Sequence, residues 1–444
     1  MKRPPNILFL MSDQHRADVT GCYGNDIVRT PVLDRLAAEG AVFDQAYTPA
    51  PICVPGRMCL MSGQLPQSCD CHRYGDDLPP NHMTFARALA QYGYNTACAG
   101  KLHHMGSDQM QGWTARMGWH DIETHPKAIE GKNEVAYQAF DGPRQTWSID
   151  KELERAGVAR SPYAANDETT LHAALEYIDQ YFNEGFYERS QAHRPLLLKV
   201  SLMQPHYPFV TDRARFDYYH DRVPIFDPET EPTIKVPELN DQPGRASSDA
   251  AAIRRATAAY YGMVDQVDGQ FGQVLKAIDA TGQDLDDWLI IYTSDHGEML
   301  GQHGQWWKHK FWEASVRVPL IARYPKAFGG GQRIEQNVSL CDLFATLCDY
   351  GNCSLPEGLD SRSLRPLLEE SEPEWDNEAI AELMHDRLMI KRDALKYQRY
   401  GSGHEVLFDH AADPDETENR IAHPQYQTDL RTLRRRADAI GYLE

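Results

Sequence analysis

No long apolar run occurs in this sequence: nothing approaches the roughly 20 consecutive apolar residues that cross a bilayer. The opening Met1-Lys2-Arg3-Pro4-Pro5 carries two positive charges, but the apolar stretch behind it, Ile7 to Met11, is short and runs into Asp13. A secretory signal needs a longer apolar core and a small-residue cleavage site, so the expected location is the cytoplasm. Positive charge is also scarce. Lys and Arg number 45 against 65 Asp and Glu, a formal net charge of −20. That balance speaks against nucleic acid or an anionic membrane surface as the main partner, since both need clustered basic residues. The nine cysteines, at 22, 53, 59, 69, 71, 98, 341, 348 and 353, are odd in number and follow no disulfide framework. In a reducing compartment most of them are buried thiols. Cys69-Asp70-Cys71 lacks a second pair at zinc-finger spacing, and internal repeats are missing too.

What is present is enough chain, at 444 residues, for one large core and an appendage. Short apolar runs alternate with helical patterns, as in an α/β domain with a mostly parallel sheet. Strands are expected at Asn6 to Met11, Tyr94 to Ala99, Leu196 to Leu202 and Trp288 to Thr293. Helices are expected after Thr30-Pro31 up to Gly40, from Thr84 to Tyr92, from about Asp167 to Phe182, and around Tyr260 to Ile278. Residues 104 to 165 read as polar and irregular. Residues 221 to 245, with Pro224, Pro228, Pro232, Pro237 and Pro243, read as loop. From about residue 376 the pattern changes to short alternating strands at Arg387 to Lys391, Lys396 to Tyr400 and Glu405 to Phe408, then a polar helix.

Four expected strands end in groups able to bind a metal or an anion. These are Asp13-Gln14-His15, Gly100-Lys101-Leu102-His103, Gln204-Pro205-His206 and Asp295-His296-Gly297. Each alone is as well explained by a helix cap or turn. Together they sit where ligands bind in open parallel sheets, beyond the carboxyl ends of the strands. A fifth element is Cys53-Val54-Pro55-Gly56-Arg57, followed by Ser62-Gly63. Taken alone it is a buried thiol beside a Pro-rich turn with a surface arginine.

Cys-x-Pro-x-Arg resembles the signature of the type I sulfatases of the alkaline-phosphatase-like superfamily. The resemblance runs along nearly the whole chain. Asn6 to Asp13 is similar to the family's first strand and metal aspartate, Gly100-Lys101-Leu102-His103 to its Gly-Lys-x-His element, and Pro205-His206-Tyr207-Pro208 to its Pro-His-x-Pro element. Asp295-His296-Gly297-Glu298 and Lys308, with Trp312-Glu313 behind it, are similar to the later metal and lysine elements. The implied fold is a sandwich with a large mostly parallel sheet flanked by helices, plus a small C-terminal antiparallel-sheet subdomain. The implied division is a catalytic domain over 1–375 and a subdomain over 376–444.

The resemblance implies that Cys53 is oxidised after translation to formylglycine by a formylglycine-generating enzyme. One hydroxyl of its hydrate attacks sulfur, and the other then expels sulfate without a second attack on a charged centre. It further implies a divalent cation, calcium before magnesium or manganese, held by Asp13, Gln14, Asp295, His296 and an oxygen of residue 53. Gln14 and His296 depart from the Asp and Asn of many members, which removes a negative charge and adds an imidazole. Arg57 is implied to hold the nucleophile and anion, Lys101 and Lys308 to neutralise sulfate oxygens, His206 to protonate the leaving oxygen, and His103 to act as base. Lys310 rivals Lys308, but the spacing to the aromatic before Glu313 favours Lys308; His104 and His309 read as surface or supporting residues.

Several stretches look similar to choline sulfatases, and Trp113, Trp119, Trp306, Trp307 and Trp312 are candidates for a cage around a quaternary ammonium group, or for ordinary packing. The substrate is left among choline sulfate, aryl sulfates and a sulfated sugar, with a homo-oligomer possible. The rival functions are a phosphonate monoester or phosphodiester hydrolase of the same superfamily, and a non-catalytic anion-binding protein.

Overall fold

The computed structural model describes residues 4–118, 149–183, 194–226, 234–240, 249–371 and 373–442. Trp119, Pro228, Pro232 and Pro243 lie outside the described residues. Strand β1 (Asn6–Ser12) is followed by α1 (Pro31–Ala38), β2 (Ala41–Tyr47), α2 (Cys53–Ser62), α3 (Phe85–Gln91), β3 (Asn95–Gly100) and β4 (Ala115–Met117). Next come α4 (Pro162–Asn183), β5 (Leu196–Ser201), α5 (Ala250–Ala280), β6 (Trp288–Ser294), β7 (Leu320–Arg323), β8 (Gln332–Ser339) and α6 (Asp342–Tyr350). Strands β9 (Glu378–Leu383), β10 (Arg387–Arg392), β11 (Leu395–Tyr400) and β12 (Glu405–Asp409) and helix α7 (Gln427–Ile440) complete the chain.

The large sheet has eight strands in the order β8-β2-β7-β6-β1-β5-β3-β4, and only β7 runs antiparallel to its neighbours. Strands buried on both faces favour apolar residues at nearly every position, which is why β1 reads as a continuous apolar run and β5 as one broken only by Lys199 before its last residues. Alternation still sorts the side chains. Ile7, Phe9 and Met11 join α2, α3 and α6 in one core, whereas Leu8 and Leu10 join α1, α4 and α5 in another. The expected α/β sandwich is therefore observed, and so is the separate antiparallel sheet, in the order β9-β10-β11-β12.

Local signals set the helix ends. The Thr84 hydroxyl accepts from the Arg87 N–H at 3.1 Å to start α3, and Asp249 accepts from the Ala251 N–H at 3.0 Å to start α5. α5 begins ten residues before its expected apolar stripe because an alanine-rich turn extends it. The polar stretch before residue 165 also holds more order than expected: β4 adds an edge strand, and α4 starts at Pro162. Between Pro237 and Asn240 the proline-rich segment makes one helical turn. Among the described residues no helix is long and apolar enough to cross a membrane.

Candidate active site

Adjacent parallel strands β6, β1, β5 and β3 end along one edge of the sheet and deliver Asp295 and His296, Asp13 and Gln14, His206, and Lys101 and His103. Helix α2 points its N-terminus at them. Cys53 is the first residue of α2, so the Cys-x-Pro-x-Arg run is a helix and not the turn its prolines suggest. Pro55 lies in the first turn, where its missing N–H has no partner to lose. Gly56 lets this helix sit close: a Cβ there would lie 2.9 Å from the Ala50 carbonyl oxygen and 3.2 Å from that of Asp295. A helix N-terminus also favours negative charge beside it.

Asp13, Cys53, Asp295 and His296 are buried, and each offers one ligand atom within 4.8 Å of the others. The two carboxylates are divided in the same way. Asp13 Oδ2 accepts from Lys101 Nζ at 2.6 Å and from Arg57 at 3.2 Å, while its Oδ1 lies 3.8 Å from His296 Nε2. Asp295 Oδ2 accepts from Arg57 Nε at 2.8 Å, and its Oδ1 lies 3.7 Å from the same imidazole nitrogen. His296 Nδ1 donates to the Gly297 carbonyl at 3.0 Å, which leaves the Nε2 lone pair facing the cluster, 3.1 Å from Cys53 Sγ. A backbone carbonyl behind an imidazole is the usual second partner of a metal-ligating histidine.

Arg57 is wholly buried, and its remaining bonds go to Ser201 Oγ at 2.9 Å and the Lys101 carbonyl at 3.0 Å. It orients both carboxylates from behind. Burial opposes the charge on Asp13, but Lys101 and Arg57 outweigh it and hold the carboxyl well below the usual range. Burial and Asp13 push the Cys53 thiol up, and Lys308, Lys101 and His296 together bring it below its ordinary value.

On the far side of Gln14, Lys308 Nζ donates to Gln14 Oε1 at 2.6 Å and to His206 Nε2 at 2.8 Å. His206 Nδ1 donates to the Tyr207 carbonyl at 2.7 Å, so its Nε2 is the acceptor and the proton of this pair sits on Lys308. Burial, with Lys308 beside it, keeps His206 neutral. His103 is likewise held neutral by burial and by Lys101 and Arg57. Lys308 reaches the site through its bonds to Gln14 and His206. Aromatic rings flank both histidines: exposed Tyr74 stands edge-on to His103 at 5.4 Å, and Tyr163 edge-on to His206 at 5.6 Å.

Among the described residues the tryptophans do not assemble a cage. Trp113 packs on Phe85 in the α2–α3 core, Trp312 stacks on His303 under the antiparallel sheet, and Trp306 lies buried against Phe209. Trp307 stacks on Tyr207, beneath Lys308. His104 is buried beside Asp77, not at the surface. His15, two residues after Asp13, turns away to Tyr292 and the Val19 carbonyl. Sequence reasoning missed Asp167 on α4, which accepts from the Met203 and Gln204 N–H groups at 2.6 and 2.9 Å and so shapes the turn to His206. It also missed Glu298 as a partner of Gln14. Asp167 stands beside Glu168 in what reads as ordinary helix, and Glu298 reads only as the end of the Asp295-His296-Gly297 element.

The sulfatase family pattern matches residues 5–352, more than three-quarters of the chain. The chain belongs to the sulfatase family. With that membership goes the enzyme class, a sulfuric ester hydrolase. A second pattern, that of the N-sulphoglucosamine sulphohydrolase C-terminal region, matches residues 301–440. An arylsulfatase of Clostridium perfringens is 28% identical over 97% of this chain and 93% of its own length. A choline-sulfatase of Rhizobium meliloti is 30% identical over 97% of this chain and 85% of its own. The solved phosphonate monoester hydrolase of Agrobacterium radiobacter superposes with a TM-score of 0.76 over 99% of this chain and 95% of its own, at 23% identity, and thus shares the fold.

Proposed function

We propose that this sulfatase hydrolyses the sulfate monoester of a small alcohol, using Cys53 converted to formylglycine beside a bound divalent cation. One observation carries the reading: Cys53 meets Asp13, Asp295 and His296 at the N-terminus of α2, with two lysines around them. The donors fit a hard cation, calcium before magnesium or manganese, because two buried carboxylate oxygens face the cluster. Asp13, Asp295, His296 and residue 53 would hold it, with Gln14 at its edge, and when bound it would polarise an oxygen on residue 53 and offset sulfate charge. The hydrated aldehyde would supply both the attacking hydroxyl and the exit for sulfate.

The remaining work falls to side chains. Arg57 keeps both carboxylates aimed at the cluster. Lys101 and Lys308 neutralise sulfate oxygens more strongly as charge builds toward the transition state. The leaving oxygen takes its proton from the Lys308–His206 pair, in which Nε2 of His206 accepts and Nζ of Lys308 donates. His103 serves as the base for sulfate release. Aryl sulfates and choline sulfate, the names carried by the two relatives above, fit the tyrosines beside His103 and His206, and a sulfated sugar is the third class. We place the protein in the cytoplasm, in keeping with eight cysteines besides residue 53 that form no disulfide, with a formylglycine-generating enzyme as its maturation partner.

Three measurements test the reading. Mass analysis of the peptide carrying residue 53 should find the thiol replaced by an aldehyde in active protein, and Cys53→Ala should fold normally and turn nothing over. The rate on p-nitrophenyl sulfate should exceed that on a phenyl phosphonate monoester. A reversed preference would move the chain to the phosphonate reading, and full activity in the alanine variant would remove the nucleophile.

A further inference from the structure

Glu298 has no part in the mechanism above, yet its side chain is fully buried and makes three bonds that bear on it. One oxygen accepts from the Leu300 N–H at 3.0 Å and the Trp307 N–H at 2.7 Å, and the other accepts from Gln14 Nε2. The loop it spans is under backbone strain. Leu300, His303, Trp307 and His309 all have φ between 48° and 75°, a region that favours glycine. Such a path persists only where outside contacts over-determine it. Glu298 ties the loop's start to Trp307, and the next residue is Lys308.

The same carboxylate also decides which way Gln14 faces. An amide has nearly the same shape either way round, but a carboxylate only accepts, so the NH2 of Gln14 must face Glu298. Oε1 is then left for the Lys308 ammonium, 2.6 Å away. The backbone that carries the donor and the amide that presents the acceptor are thus both referenced to one side chain.

We propose that Glu298 is a positioning residue that fixes the Gln14 amide and the Lys308 ammonium together, and that losing its charge uncouples them. This rests on the proposed function for its consequence, since Lys308 matters there as a sulfate ligand and proton donor. Glu298→Gln keeps the shape but creates a conflict. If its amide oxygen stays on the two backbone N–H groups, its NH2 faces the NH2 of Gln14. Gln14 must then turn over and present a donor to Lys308, which drives the ammonium away. The reverse placement sets the new NH2 against the two backbone donors. Exchanging the partners, Gln14→Glu with Glu298→Gln, restores an acceptor on both sides of residue 14 at unchanged net charge.

The experiment has two arms. Crystal structures of wild type, Glu298→Gln and the exchanged double variant should show Lys308 Nζ bonded to residue 14 and His206 in the first and third, and withdrawn in the second. Titration with inorganic sulfate should show affinity about 10- to 100-fold weaker in Glu298→Gln, as for loss of a charge-assisted contact, and largely recovered in the double variant. A Lys308 that has not moved in the Glu298→Gln crystal overturns the proposal, as does a double variant as weak as the single one. Wild-type protein that takes up no sulfate counts against the proposed function alone, because the crystal arm still decides the role of Glu298.

Discussion

Lys199 sits in the middle of β5, about 1% exposed, with Phe9 and Cys98 opposite it on the neighbouring strands and its ammonium 5.3 Å from the Phe9 ring. Burial, with Arg57 nearby, brings its pKa down to about 8. An unfolded lysine titrates near 10.4. Between these values the unfolded chain holds more protons than the folded one, so stability gains from this residue as the pH rises through that window. At pH 7 the folded state still carries the cost of a charge in the core. Lys199→Met should therefore stabilise the protein by about 1–3 kcal/mol at pH 7, with the difference from wild type shrinking toward zero by about pH 10. Urea unfolding at the two pH values measures it, and an equal offset at both would contradict a buried titrating lysine. This residue was illegible beforehand: Leu-Leu-Leu-Lys-Val-Ser reads as a buried strand, but a single lysine in it does not say whether its ammonium reaches water or stays in the core.

Whole elements were easier to foresee than their joints. β1, β5 and β6 announce themselves because a doubly covered parallel strand must be apolar throughout. The four strand-end motifs are legible for a related reason, since parallel strands deliver their carboxyl ends to one edge. Their order in the sheet is not in any one motif, and the helical state of Cys53–Ser62 was hidden by two prolines that flank and enter its first turn. Asp167 shows what such joints contribute. It reaches from α4 to two backbone N–H groups of the Met203–Gln204 turn, so one side chain joins a helix to the loop that aims His206. Asp167→Ala would strand two buried donors at about 1–3 kcal/mol each. The melting temperature should fall, and kcat should fall most for alcohols that are poor leaving groups, because these depend on proton delivery near His206. A loss of stability with leaving-group dependence unchanged would reduce Asp167 to a purely structural bond.

At the scale of the whole molecule, the two sheets are joined by buried charge as well as by apolar contact. Lys396 on β11 is completely buried and donates to Glu313 at 3.0 Å, just after the loop that ends the active site, and it also pairs with Glu416. His410 lies 3.2 Å from Glu416, and Tyr47 and Arg317 approach Glu313 from the large sheet. Glu313, His410 and Glu416 could hold a metal by their spacing alone, but the cation among them is the ammonium of Lys396. Burial raises the carboxyl of Glu313, and Lys396, His410 and Arg317 overcome it and hold it far below its usual range; Glu416 is lowered for the same reason. A depressed folded pKa means that the stabilisation is present above the unfolded value, near 4.3, and is lost as the pH falls below it. Lys396→Met should remove about 3–5 kcal/mol at pH 7, because one buried carboxylate, Glu416, and one partly buried, Glu313, lose their counter-charge, and this loss should shrink on acidification as they become protonated. Adding Glu313→Gln to Lys396→Met should return part of it, by deleting one of the stranded charges. Denaturant midpoints of the three proteins at pH 7 and pH 4 decide the matter. Equal and additive losses at both values would show that the sheets are held by packing alone, and that the lysine is incidental to how they dock.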